Sequence, residues 1–208
     1  MLHPKTLEPG TFSLLKELMK LPHLGSFSLV GGTALALRYG HRSSVDLDLF
    51  SHEEFDIQAL GETLSHLFKE DYIIESGHKK VGLFSYIRGI KVDIVFYPFK
   101  LIGPVEHVQQ LRLYSSQDIA AMKIQALLGR GKKKDFYDLY ELLRHFSLQQ
   151  IMDWHKAKYP GQMLAISIPN AITYFEDAED SETPVSFKRQ TWEEVKNGIK
   201  KVVRDYLS

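Results

Sequence analysis

Asp46 and Asp48 stand two residues apart in Ser44-Val45-Asp46-Leu47-Asp48-Leu49-Phe50, an alternation that a β-strand converts into two faces. Both carboxylates then leave one face, with Ser44 behind them, while Val45, Leu47 and Leu49 pack below. Like charges at that spacing repel. The pair makes physical sense if a cation neutralises it, because hard divalent ions such as Mg²⁺ take carboxylate oxygens and complete their shell with water and phosphate. The competing reading is a solvated edge strand of alternating polarity. Asp93 lies within Val92-Asp93-Ile94-Val95-Phe96, where a lone carboxylate is costly, so it needs the same cation or a buried partner such as Arg38 or Arg42. Three carboxylates on neighbouring strands are the set that two-metal phosphoryl transfer uses. One ion activates an acceptor hydroxyl and the other neutralises the leaving pyrophosphate.

Upstream, residues 27–30 read as a short strand that runs into Gly31-Gly32, and 33–39 reads as a helix opening on that pair. Glycines between strand and helix let backbone N–H groups approach an anion at the positive helix end, and Thr33 adds a hydroxyl. A glycine pair alone is more often an ordinary turn. Glycine pair, short helix and then the Asp-x-Asp strand is a far more specific order.

Apolar spacing predicts a helix over 14–21, before Pro22, and another after the capping-box pair Ser51 and Glu54, with Ile57, Leu60, Leu64 and Leu67 on one side. Strands follow at 72–75, 81–87 and 90–97, the last two joined by Arg88-Gly89. From Ser115 the pattern is helical: 119–128, 136–143, 151–158, then shorter pieces broken by Pro160 and Pro169. Residues 176–184 form an acidic loop, and Thr191 with Glu194 caps a last amphipathic helix through Trp192, Val195, Ile199, Val202 and Tyr206. The class is α+β: a mixed sheet with flanking helices over 1–112, then a helical subdomain over 113–208.

Composition removes several alternatives. The 208 residues contain no cysteine, which rules out disulfides and thiolate metal sites, and the nine histidines show no ligand spacing, against a zinc enzyme. Lysine plus arginine and aspartate plus glutamate balance at 26 each, so RNA contact would rest on a local patch such as Lys132 to Lys134, by default a solvated helix start. The N-terminal Met1-Leu2-His3-Pro4-Lys5 lacks a signal-peptide pattern and no apolar run approaches the roughly 20 residues of a membrane span, so a cytoplasmic protein is expected.

Leu29-Val30-Gly31-Gly32-Thr33-Ala34-Leu35-Ala36-Leu37 and Arg42-Ser43-Ser44-Val45-Asp46-Leu47-Asp48-Leu49-Phe50 closely resemble the first motif of the AbiEii/AbiGii nucleotidyltransferase toxins, within the DNA polymerase β-like superfamily. Asp118-Ile119-Ala120-Ala121-Met122-Lys123 and Arg130-Gly131-Lys132-Lys133-Lys134-Asp135-Phe136-Tyr137-Asp138-Leu139-Tyr140 resemble its later motifs. The resemblance covers 25–145, with a weaker echo to the end. It implies transfer of an NMP from an NTP to an acceptor such as tRNA or another RNA, in a toxin opposed by a cognate antitoxin protein. It also implies that Lys123 and Asp135 join the active site.

Geometry permits that placement. Lys123 lies six residues before the Gly129-Arg130-Gly131 turn, roughly 9 Å down its helix, and Asp135 four after it, roughly 6 Å up the next. Without the resemblance, an interhelical salt bridge is the simpler reading. The expected site is thus Asp46, Asp48 and Asp93 on Mg²⁺ or Mn²⁺, with Gly31, Gly32, Thr33, Arg42, Ser44 and Lys123 around the NTP and Lys123 and Asp135 beside the chemistry. Arg42 and Ser44 have the plainer role of shaping the turn before Asp46. Phe136, Tyr137, Tyr140 and Phe146 read as core before they read as a base-stacking platform. Two other functions stay open: a small-molecule nucleotidyltransferase of the antibiotic type, and a nucleotide-binding regulatory module without turnover, which would not need three acids.

Overall fold

The computed structural model describes residues 1–75, 81–129 and 131–208. In chain order the elements are α1 (Pro9–Leu18), β1 (Ser28–Leu29), α2 (Gly31–Tyr39), β2 (Leu47–Ser51), α3 (Ile57–Phe68), β3 (Tyr72–Ile74), β4 (Gly82–Ile87), β5 (Ile90–Phe96), β6 (Glu106–Val108), β7 (Leu111–Leu113), α4 (Ser116–Gly129), α5 (Lys133–Leu142), α6 (Leu148–Lys158), α7 (Ile168–Ile172), α8 (Glu176–Glu179) and α9 (Trp192–Leu207). The strands make one mixed sheet in the order β3-β4-β5-β2-β1-β7-β6. β2 runs parallel to β5 and antiparallel to β1, and β1 runs parallel to β7. The α+β class follows directly.

The alternation in β2 and β5 separates two faces. Leu47, Leu49, Val92 and Ile94 are buried in the core, whereas Asp48 and Asp93 are direct neighbours across the parallel ladder on the other face. The hydrophobic core continues without a break from Leu2 through the sheet into α4, α5, α6 and α9, and includes Phe136 and Tyr137, so these aromatics are packing residues. α2 touches both α4 and α5. The helical half is thereby held over the acid-bearing strands.

A fully buried ion pair fixes the helical layer. Lys158 on α6 donates to Asp118 at the start of α4 over 2.7 Å, and Asp118 also accepts from Ser115 Oγ and from the amides of Ile102 and Gly103. The chain leaving β5 is therefore tied to the first turn of α4.

Three local expectations are corrected. Ser51 does not cap α3 with Glu54; it is drawn into the β2 ladder opposite Phe96, and Asp56 caps the helix by accepting from the Ala59 amide at 3.0 Å. The β6–β7 hairpin went unpredicted because its turn uses Gln109 and Gln110, both at positive φ, where glycine or asparagine would have announced it. Part of the acidic 176–184 segment is the one-turn α8. Arg130 of the quoted motif lies outside the described residues.

Replacing Lys158 by Met should cost about 3 kcal/mol in urea unfolding, because Asp118 loses its cation in a dry site. The double variant Lys158→Met/Asp118→Asn should recover part of that loss. Full stability in the single variant would show that the pair does not organise the layer.

Candidate active site

The chain enters the site through Val30, extended at the N-cap of α2, and Gly31 at φ +68°. Space requires both glycines. A Cβ on Gly31 would lie 2.7 Å from Asp48 Oδ2, and one on Gly32 would lie 2.1 Å from Arg42 Nη2. The first amides of α2 have no intrahelical acceptor, which gives this end its partial positive charge. The Thr33 hydroxyl donates to the Asp46 carbonyl and stands 2.8 Å from Ser44 Oγ, so these two side chains lock the turn before β2 onto α2.

The three acids have different partners. Asp46 reaches Lys134 at 3.3 Å and Asp93 reaches Lys91 at 3.6 Å. Asp93 Oδ1 is nonetheless buried without a hydrogen bond among the described residues. Burial raises the Asp48 carboxyl to about 6, helped by the charges of Asp93 and Asp46 and opposed by Lys123 and Lys134. The pKa of Asp93 is also raised, mainly by burial, against the pull of Lys91. With lysines leaning on the outer two acids, no three carboxylates among the described residues are drawn together as a ready ligand set. The donor set still suits a hard cation: oxygen ligands only, one of them orphaned and one repelled by its neighbours.

Behind the acids, Asp138 on α5 is fully buried and collects two cations and an imidazole. Arg42 binds it through Nε and Nη2, each at 2.7 Å, His41 Nε2 approaches Oδ1 at 2.7 Å, and Lys123 Nζ approaches Oδ2 at 2.7 Å. Lys123 also donates to Asp135 at 2.8 Å, and Asp135 accepts the Lys132 amide at 3.3 Å, capping α5. Burial works against the charge on Asp138, yet Arg42 and Lys123 hold its pKa well below the carboxylate range. Lys123 is likewise desolvated, but Asp138 and Asp135 keep its pKa above the ordinary lysine value. Lys123 and Asp135 therefore do face one another, and in a buried network rather than an exposed bridge. Arg42 is spent on Asp138 and on the Ser43 carbonyl. The expected buried partner of Asp93 is neither Arg38, which pairs with Glu106, nor Arg42. Asp138 had been quoted within a motif without a role; its signal was the i, i+3 spacing from Asp135 on one helix face.

A cleft of about 220 Å³ takes in Gly31, Gly32, Thr33, Arg42, Ser44, Asp46, Asp48, Lys123, Lys134 and Asp135, with Phe50, Tyr97, Ile119 and Met122 as its apolar lining, whereas Asp93 and Asp138 do not line it. A neighbouring cavity of about 330 Å³ shares Arg42, Ser44, Asp46 and Lys134 and extends to Lys132 and the 181–185 segment. No helix among the described residues is long and apolar enough to cross a membrane.

A glycine turn onto a helix beside paired strand acids, in a mixed sheet under helices, defines a nucleotidyltransferase fold. The profile of the family described as nucleotidyl transferase AbiEii toxin, type IV toxin-antitoxin system, matches residues 13–205, and the chain belongs to that family. It is therefore a toxin-type nucleotidyltransferase. It is 35% identical to an uncharacterized protein of Aquifex aeolicus over 93% of this chain and 94% of that one. The fold is shared with a putative nucleotidyltransferase from Helicobacter pylori, at TM-score 0.56 and 19% identity over 97% and 99% of the two chains. It is also shared with the nucleotidyltransferase toxin MenT4 of Mycobacterium tuberculosis, at TM-score 0.54 and 14% identity over 95% and 86%.

Asp138→Asn should destabilise the fold by about 3–5 kcal/mol at pH 7, since Arg42 and Lys123 lose a buried counter-charge. Because the folded pKa is depressed, the advantage of the wild type is present above the unfolded value and should shrink as pH falls below about 4. Equal urea midpoints at pH 7 would refute the role given to Asp138. Asp48→Asn should do the opposite in metal-free protein. Its folded pKa of about 6 exceeds the unfolded one, so wild-type stability drops as pH rises through 4 to 6. The variant should melt several degrees higher at pH 8, with the gap closing below pH 6. A lower melting point at pH 8 would show that Asp48 is not under repulsion.

Proposed function

We propose that this toxin-type nucleotidyltransferase moves a nucleoside monophosphate from an NTP to an RNA acceptor, with tRNA the leading candidate, in dependence on Mg²⁺ or Mn²⁺, and that a cognate antitoxin protein opposes it. The observation that carries the reading is Asp48 beside Asp93 on one face of the sheet, with Gly31 packed against the Asp48 carboxylate. Asp46, Asp48 and Asp93 would hold the divalent ions, which supply neutralisation of the triphosphate and activation of the acceptor hydroxyl. The amides that open α2 bind the triphosphate by their partial positive charge. Lys123 directs its remaining N–H toward the phosphates, held in place by Asp135 and Asp138. Arg42 positions Asp138 and, through Ser43, the turn that presents Asp46. Lys134 keeps Asp46 company until the substrate brings its own counterions. The neighbouring cavity, with Lys132 and Lys134 beside Asp46, offers the acceptor a phosphate-binding approach.

Incubation with each labelled NTP, Mg²⁺ and either total RNA or a panel of small hydroxylated acceptors tests this. Label should enter RNA, vanish with EDTA, and fall at least about 10²-fold, roughly 3 kcal/mol of barrier, in Asp48→Asn. Label found only on small molecules would move the acceptor class. Wild-type transfer by Asp48→Asn would remove the acid site altogether.

A further inference from the structure

The cleft has two unlike ends. Beyond the glycines and acids, it is closed by two aromatic side chains from adjacent strands. Phe50 lies two residues past Asp48 on the same side of β2, about 7 Å along the strand. Tyr97 follows β5, its amide bonded to the Ser51 carbonyl at 2.7 Å, which continues the β2–β5 pairing. The two ring centroids are 5.2 Å apart, and both side chains are only partly buried. From α4, Ile119 and Met122 add apolar surface to the same space.

Tyr97 is held from several directions. Its hydroxyl is hydrogen-bonded to that of Tyr159 at the end of α6, Phe99 packs on it at 4.8 Å between centroids, and the Lys158 ammonium lies 5.7 Å from its ring centroid. Lys158 is itself fixed by Asp118. A side chain locked this way loses little conformational entropy when a ligand meets it. An anion-binding end and a rigid aromatic end within one cleft suit one molecule with a charged head and a flat apolar body.

Resting on the nucleotide reading above, we propose that Phe50 and Tyr97 form the nucleobase subsite, against which the base of the bound NTP stacks. Tyr97 is the source of a hydroxyl at this end, and that hydroxyl is engaged by Tyr159. The base is therefore held by its faces more than by its edges. Stacking of this kind tolerates different bases, because every base presents a π face.

Isothermal titration with Mg²⁺ and either ATP or inorganic tripolyphosphate separates the two ends of the cleft, since tripolyphosphate has no base. Phe50→Leu and Tyr97→Leu keep apolar volume while removing a ring. Each should weaken ATP about tenfold, equivalent to about 1.4 kcal/mol, weaken GTP similarly, and leave tripolyphosphate unchanged. Tyr97→Phe should bind ATP nearly as the wild type does. Unchanged ATP affinity in both leucine variants would overturn the subsite. Equal weakening of ATP and tripolyphosphate would also overturn it, by showing that the rings act through the fold. A wild type that binds tripolyphosphate but gains nothing from the base of ATP refutes the subsite alone. A wild type that binds neither ligand refutes the nucleotide reading and the subsite with it.

Discussion

A single buried carboxylate holds the sheet and the helical layer in one arrangement. Asp138 sits on α5 but takes its partners from the loop before β2, through His41 and Arg42, and from α4, through Lys123. Burying one acid and two cations away from water is unfavourable unless every charge finds a partner with good geometry. Here the contacts of 2.7 Å on both carboxylate oxygens satisfy that condition. The same network fixes Lys123 at the cleft and, through Arg42, limits residue 32 to glycine. Site geometry and fold stability thus share one set of bonds.

The acids in front of this network obey the opposite logic. Asp48 and Asp93 are paired across a parallel ladder, and the surroundings of Asp48 favour its neutral form. The stable network behind supplies the rigidity against which that repulsion is maintained. Lys91 and Lys134 offset it only in part, at contacts of 3.6 and 3.3 Å on partly exposed acids. Such a cluster gains when cationic charge arrives with a ligand, which is the property expected of a phosphoryl-transfer site and a liability in a purely structural one.

Much of the cleft was legible in the chain because its parts are local. Gly31-Gly32 at a strand-to-helix junction and Asp48 on the strand depend on neighbouring backbone alone, whereas Asp46, expected on that strand, precedes it and Val45, expected to pack below, is exposed, because β2 begins its pairing only at Leu47. Lys123 opposite Asp135 was implied by the family resemblance and permitted by counting residues along two helices joined by a short turn. The reading of Phe136 and Tyr137 as core was correct for the same reason. The errors were equally physical. Ser51 has the chemistry of a cap, but pairing with Phe96 outweighs it. The β6–β7 turn places two glutamines at positive φ, which no residue preference foretells.

By itself, the sequence determined most of the helices and central strands, the acid-bearing strand, the glycine turn and the family resemblance, since each is encoded within short spans whose spacing a strand or helix converts directly into geometry. Only the tertiary structure decided which charges meet. It put Asp93 beside Asp48, gave Arg42 to Asp138 instead of to Asp93, and set Phe50 and Tyr97 side by side at the far end of the cleft. Those partnerships join residues 45 to 96 positions apart. They are chosen by strand order and helix packing, where the need to pair every buried charge selects one arrangement among many that the local pattern allows.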